Sequence, residues 1–236
     1  MKKTDLKKQY KEFYNVPTGK IVLVEVPAFN YLAINGQGNP NSSLGFKQAV
    51  EALFSVSYTL KFMVKKGGMG MDYGVMPLEG QWWADDMNDF TTANKDTWKW
   101  TAMIMQPEFI TDTMVKEAMI KAGEKKPLPA LVKMRFELFK DGKAAQVLYI
   151  GSFDKEGPTI EKLHAFIHEN GYELSGKHRE IYLSDFRKAA PEKLKTIIRQ
   201  PVKWLSYLLD DRVLPVLTTY HQLITWFSYK KESPAL

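Results

Sequence analysis

The chain has 236 residues, 44% of them hydrophobic and 25% charged, enough to bury one large core or two small fused ones. It contains no Cys, which excludes a disulfide framework, thiolate catalysis and a Cys-ligated metal. Its net charge of +6 is scattered among 27 acids, and no zinc-finger, RNA-binding or helix-turn-helix pattern accompanies it, so it gives no ground for direct nucleic-acid binding.

The basic N-terminus, Met1 to Lys11, is followed by no apolar h-region of the length that secretion requires, so a cytoplasmic location is expected. Ile21 to Val26 reads as a strand from its β-branched residues. After Pro27 a second strand piece, Tyr31 to Ile34, runs into the turn Gly36-Gln37-Gly38-Asn39-Pro40. Ser42 or Ser43 caps a long helix, in which Phe46, Val50, Leu53, Phe54, Leu60 and Val64 keep helical spacing as far as Gly67-Gly68. Tyr73 to Leu78 and Trp98 to Met105 read as strands, with a polar loop from Asp85 to Lys95 between them.

Thr111 or Asp112 starts a helix through Lys121 that ends at Gly123, and Lys125-Lys126-Pro127-Leu128-Pro129 marks a boundary. Beyond it come a strand over Leu131 to Phe139, a turn at Asp141-Gly142, a strand over Ala145 to Ile150, a helix from Pro158 to Glu169 and a strand through Glu180. The order strand, helix, strand, strand thus occurs twice, over about residues 18–108 and 130–202. The fold class this predicts is α+β: two such modules forming a shared antiparallel sheet, with helices on one face and a concave ligand cleft on the other.

Within the second module, His178-Arg179-Glu180-Ile181-Tyr182-Leu183 puts an acid inside an alternating run. Ile181 and Leu183 would face the core, leaving Glu180 and Tyr182 as either a pocket wall or a solvated strand face. Glu79, just before Gln81-Trp82-Trp83, stands at a similar place in the first module. A pseudo-twofold axis would aim both carboxylates at one aromatic cleft, one keeping its proton and the other ionised; two acids on separate surfaces fit the spacing as well.

Other signals are weaker. His164 and His168 lie four apart, but Ala165 occupies the place of a metalloprotease Glu, and no second pair completes the spacing of Glu161 and His164, so neither a metal nor another cofactor is expected. Gly67-Gly68-Met69-Gly70 lacks the Lys and Ser or Thr of a phosphate loop, and no Gly-x-Ser-x-Gly elbow occurs. Lys203 to Leu236 is rich in Leu, Trp and Tyr without a run long enough to span a membrane. A helical extension, a dimer contact and a segment of no selected role all fit it, which leaves monomer and homodimer open.

The blocks Tyr31-Leu32-Ala33-Ile34-Asn35-Gly36-Gln37-Gly38, Leu60-Lys61-Phe62, Asp72-Tyr73, Pro77 to Trp83, Met105 to Thr111, Leu148 to Asp154, Glu180 to Asp185 and Leu194 to Val202 resemble, in the same order, those of the GyrI-like small-molecule-binding proteins. The resemblance covers residues 8 to 202 and implies one domain over 1–202 followed by an extension, 203–236. It further implies a cleft that takes flat hydrophobic or cationic small molecules, with Glu180 as central carboxylate and Glu79 as a second acid. Trp82, Trp83, Tyr182, Tyr73, Phe109 and Phe153 are the aromatics expected at the ligand, and Tyr149 the donor to a developing phenolate. Stand-alone members of that kind include hydrolases that open the cyclopropane of DNA-alkylating compounds. The alternative is a non-catalytic module that sequesters drugs or inhibits a protein partner such as gyrase. The chain departs from the family's frequent residues in having His178-Arg179 in place of paired His, and Tyr149 in place of His.

Overall fold

A computed structural model describes residues 2–67, 70–85, 95–185 and 188–205. Its strands are β1 (Lys2–Thr4), β2 (Ile21–Gln37), β3 (Met71–Tyr73), β4 (Leu78–Trp83), β5 (Lys99–Gln106), β6 (Arg135–Ile150), β7 (Tyr172–Leu174), β8 (His178–Tyr182) and β9 (Lys195–Trp204). Its α-helices are α1 (Leu6–Gln9), α2 (Lys11–Tyr14), α3 (Leu44–Lys66), α4 (Asp112–Lys125) and α5 (Gly157–Glu169). The segments 68–69 and 86–94, which hold part of the expected glycine turn and most of the expected polar loop, and the tail from 206 lie outside the described residues.

The sheet is antiparallel throughout and runs β6-β2-β5-β4-β8-β9-β7; a further pairing of β6 with β9 closes the first six of these strands into a ring. Each half repeats one connectivity. In the first, β2 pairs with β5 and β5 with β4; in the second, β6 pairs with β9 and β9 with β8, and α3 or α5 links the first strand to the next in each. The two modules meet where β2 pairs with β6 and β4 with β8. The α+β class expected from the sequence, two modules sharing an antiparallel sheet, is the one found, but the slot around Glu180 lies on the face that carries α3 and α5 and not on the opposite face expected for the cleft.

Local sequence fixes the helices. Ser43 accepts the Phe46 N–H at 3.2 Å as N-cap of α3, and Lys65 and Lys66 in the last turn complement its dipole. The apolar strip Ala49, Leu53, Val56, Leu60 and Val64 buries α3 on the sheet. Thr111 caps α4 through the Met114 N–H, and the helix runs two residues past Gly123, to Lys125. Leu163 and Ile167 bury α5 against Ala145, Val147 and Ile198 in a second, smaller core.

Three strand expectations are corrected. The pieces on either side of Pro27 form one strand of 17 residues, and the two around Asp141-Gly142 form one of 16, because β2 and β6 pair with each other on both sides of these points. Pro27 and Gly142, the latter at φ +65°, mark a bend instead of a break. There the inward positions change parity: Val24 and Val26 precede it and Phe29 and Tyr31 follow it in the same core. The run Tyr73 to Leu78 is not one strand: Tyr73 ends β3, Leu78 opens β4 and residues 74–77 lie between them, and β3 pairs in parallel with β1 in a separate two-stranded sheet. Among the described residues no helix is long and apolar enough to cross a membrane.

Candidate active site

The two faces of the β4–β8 pair carry different chemistry, and register decides which residue belongs to which. The pairing is centred on Gly80 opposite Glu180, with Glu79 opposite Ile181 and Gln81 opposite Arg179. The twofold relation between the modules therefore matches Gly80 with Glu180, Trp82 with Tyr182 and Glu79 with Arg179. Placing Glu79 as the counterpart of Glu180 is off by one residue, and on a strand one residue turns a side chain to the opposite face. The expected convergence of Glu79 and Glu180 is corrected accordingly.

Glu79 points into the ring and is fully buried. It accepts hydrogen bonds from the Tyr14 hydroxyl at 2.7 Å, the Tyr31 hydroxyl at 3.3 Å and the Arg179 guanidinium at 3.1 Å. Arg179 also lies 3.0 Å from Asp141, which is itself 3.3 Å from Arg199. Arg199 donates to Gln146 and to the Phe13 carbonyl, so α2 closes this polar interior from one side. Burial, and then the Glu79 charge, raises the Tyr14 hydroxyl well above the ordinary phenol range.

On the outer face, Glu180 lines a slot of about 100 Å³ on the side of the sheet that carries the helices. Trp82 and Tyr182 come from the strand pair, Phe46 and the preceding Pro40 and Asn41 from the start of α3, and Phe153 and Glu156 from the turn leading into α5. Lys95 and Trp98 complete the walls, with Lys95 Nζ 5.2 Å from the Trp98 ring centre. The indole of Trp82 lies over Gly80, where a Cβ would come within 2.7 Å of its Nε1, so the slot's floor requires glycine. Trp82 packs against Phe46 at 5.6 Å and Trp98 at 6.1 Å between ring centres, and Phe153 stands edge-on to Tyr182 at 5.5 Å.

Glu156 and Glu180 are the paired carboxyls of this slot. Burial, and next the charge of Glu180 within hydrogen-bonding reach, push Glu156 up to about 9, with the Lys95 ammonium opposing. Glu156 therefore holds its proton at neutral pH, and its buried Oε2 has no partner. Tyr182 is raised well above the phenol range, first by burial and then by Glu180. His178 Nε2 lies 3.5 Å from Glu180 Oε1 on the side away from Tyr182 along β8. His164 is lowered by burial and by the neighbouring His178 and His168, and among the described residues no three His, Asp or Glu are grouped to hold a metal.

Of the expected site residues, the slot gathers Glu180, Trp82, Tyr182 and Phe153. Trp83 faces the other way, with Lys177 Nζ 3.3 Å over its ring. Tyr73 and Phe109 pack edge-on against each other at 5.7 Å, away from the slot's lining. Tyr149 donates its hydroxyl to the Ser152 carbonyl at 2.8 Å and is not among the lining residues. Sequence reasoning missed Glu156, Trp98 and Lys95. Glu156 reads as an ordinary acid before a helix; its signal was the three-residue spacing from Phe153, which sets both on one side of a single turn.

The model of the GyrI-like small molecule binding domain matches residues 19–203. The chain belongs to the GyrI-like family. An uncharacterized conserved protein from Listeria innocua is 35% identical, with a TM-score of 0.78 over 84% of this chain and 99% of that one. Two crystal structures of hydrolases from Listeria innocua are also similar. One is 37% identical with a TM-score of 0.77, covering 86% of this chain and 100% of that chain; the other is 36% identical with a TM-score of 0.74, covering 84% and 99%. No curated protein matches the chain. Membership in this family makes the chain a small-molecule-binding protein, with the slot as its candidate site.

Proposed function

We propose that the chain binds flat, apolar molecules in the slot and hydrolyses electrophilic, cyclopropane-bearing xenobiotics there, as a protective enzyme of the cytoplasm. The observation that carries this is the Glu156–Glu180 pair, two carboxyls held together among aromatic rings with one of them kept protonated. Two similar proteins being hydrolases supports the choice of reaction class.

Trp82, Trp98 and Tyr182 would hold the flat ring system, and Glu180 would orient a water toward the strained methylene. As the water oxygen bonds that carbon, the cyclopropane C–C bond breaks and its electron pair moves into the conjugated ring, placing charge on the ring's carbonyl oxygen. Glu180 takes the water proton and Glu156 gives its own to the new phenolate, the part expected of Tyr149 from sequence. Transfer of a proton from Glu180 to Glu156 then resets the pair. Water is added across one bond, and no other reactant is needed.

The test is to incubate the protein with a cyclopropane-bearing DNA alkylator and follow ring-opened product by mass spectrometry. Multiple turnovers are expected, and Glu180→Gln should slow them by about a hundredfold to ten-thousandfold while ligand still binds. Binding without product in both proteins would replace the hydrolase with a sequestering module.

A further inference from the structure

We propose that the groove along α3 is a second subsite for the same ligand, holding an uncharged aromatic tail while the flat head occupies the slot. This rests on the slot being the ligand's site, and it specifies what kind of ligand that is: an elongated one.

The first reason is size. The slot's volume of about 100 Å³ falls short of the ~300–1,000 Å³ that encloses a drug-sized molecule, so it can receive only one end of such a ligand. The second is continuity. A groove of about 680 Å³ shares Pro40, Asn41 and Phe46 with the slot, so these residues form a common rim that a bound molecule can cross without leaving the protein.

The third reason is the chemistry of the groove. Phe46, Val50, Phe54 and Tyr58 follow one another at four-residue spacing, which places them along one side of α3 over roughly 18 Å at 1.5 Å per residue. That length matches a few aromatic rings joined in line. Phe54 and Tyr58 lie with ring planes 29° apart and centres 6.3 Å apart, and Tyr58 is 48% exposed, an aromatic surface open to a flat partner. At the rim, Glu51 and Lys126 are already paired at 2.7 Å. Lys47 is the remaining lining cation, and it suits the face of an aromatic ring and disfavours a cationic tail.

The test uses naphthol, phenylnaphthol and biphenylnaphthol, a head with rings added in line, titrated calorimetrically into the full chain. Wild type should tighten about tenfold with each added ring. Ser55→Trp, which fills the groove, and Tyr58→Asp, which places a charge beside the tail, should remove that gain and leave naphthol binding unchanged. The proposal is overturned if the added rings gain nothing in wild type, or gain as much in Ser55→Trp as in wild type. Should naphthol itself fail to bind, or bind equally to Trp82→Ala, the slot is not the ligand's site, and the subsite falls with it.

Discussion

The inward and outward faces of the β4–β8 pair are a few ångströms apart and use buried charge in opposite ways. Inside the ring, Arg179 and Arg199 meet Glu79 and Asp141, two charges of each sign, with tyrosine hydroxyls donating to the carboxylate. Outside, Glu156 and Glu180 are two carboxyls beside one lysine, and burial first, then the charge of Glu180, keeps Glu156 neutral. Opposite charges in a dry interior hold each other in one arrangement. Like groups in a dry slot leave a proton that can be given away. The difference teaches that burial alone does not mark a reactive acid: Glu79 on β4 is more deeply buried than Glu180 on β8, yet its partners commit it to structure.

The comparison is broken most severely from the inside. Glu79→Ala would leave Arg179 buried with only one of its two anions, and the expected loss is about 3–5 kcal/mol of stability in urea unfolding. A loss below 1 kcal/mol would mean that Asp141 alone suffices. Glu180→Gln, one residue from Arg179 but on the outer face, should by contrast unfold close to wild type. On the binding side, Trp82→Ala should weaken planar neutral ligands by about tenfold or more, from lost ring contact and buried area. Unchanged affinity in a titration would take Trp82 out of the site.

Glu156 sharpens the contrast through pH. Its folded-state value, about 9, lies above the ordinary 4.5, so the folded protein holds a proton that the unfolded chain has released between those values. Stability from this group is therefore greatest below about 4.5 and is lost as pH rises through about 9. Thermal unfolding of wild type should weaken over that window by up to about 1.4 kcal/mol per pH unit, and Glu156→Gln should flatten the slope. The same proton is the one given to the leaving oxygen, so turnover should also fall above pH about 9. A slope equal in both proteins would show that Glu156 ionises normally.

Much of this was legible in the sequence, and the omissions have physical causes. The duplicated order of elements and the α3 cap were readable because helical spacing, Ser43 and glycine turns are local signals. The long strands β2 and β6 were not, because Pro27 and Gly142 read as breaks until the partner strand is known to continue past both. Glu180 and Tyr182 share one face of β8 and line the slot, a pairing that alternation makes legible. Glu79 was misplaced because matching two modules by motif leaves a one-residue uncertainty, harmless on a loop and decisive on a strand. Glu156, Trp98 and Lys95 reach the slot from three separate segments, a convergence that tertiary packing creates and spacing does not announce.

The smallest expected effect separates a residue near the slot from one that acts in it. Tyr149→Phe removes only the hydroxyl that donates to the Ser152 carbonyl, a net hydrogen bond of about 0.5–1.5 kcal/mol on a partly exposed side chain. The turn it braces is also held by the Gly151 N–H, which donates to the Leu194 carbonyl at 3.0 Å, so the chain leading to Phe153 and Glu156 should keep its course. Turnover should therefore match wild type while unfolding shifts slightly. A drop in turnover of tenfold or more, without a matching loss of stability, would mean that the phenol leaves Ser152 and donates to the ligand. Glu156 would then share the proton-donating role, and the outer face would use one more residue from the second module than its resting geometry shows.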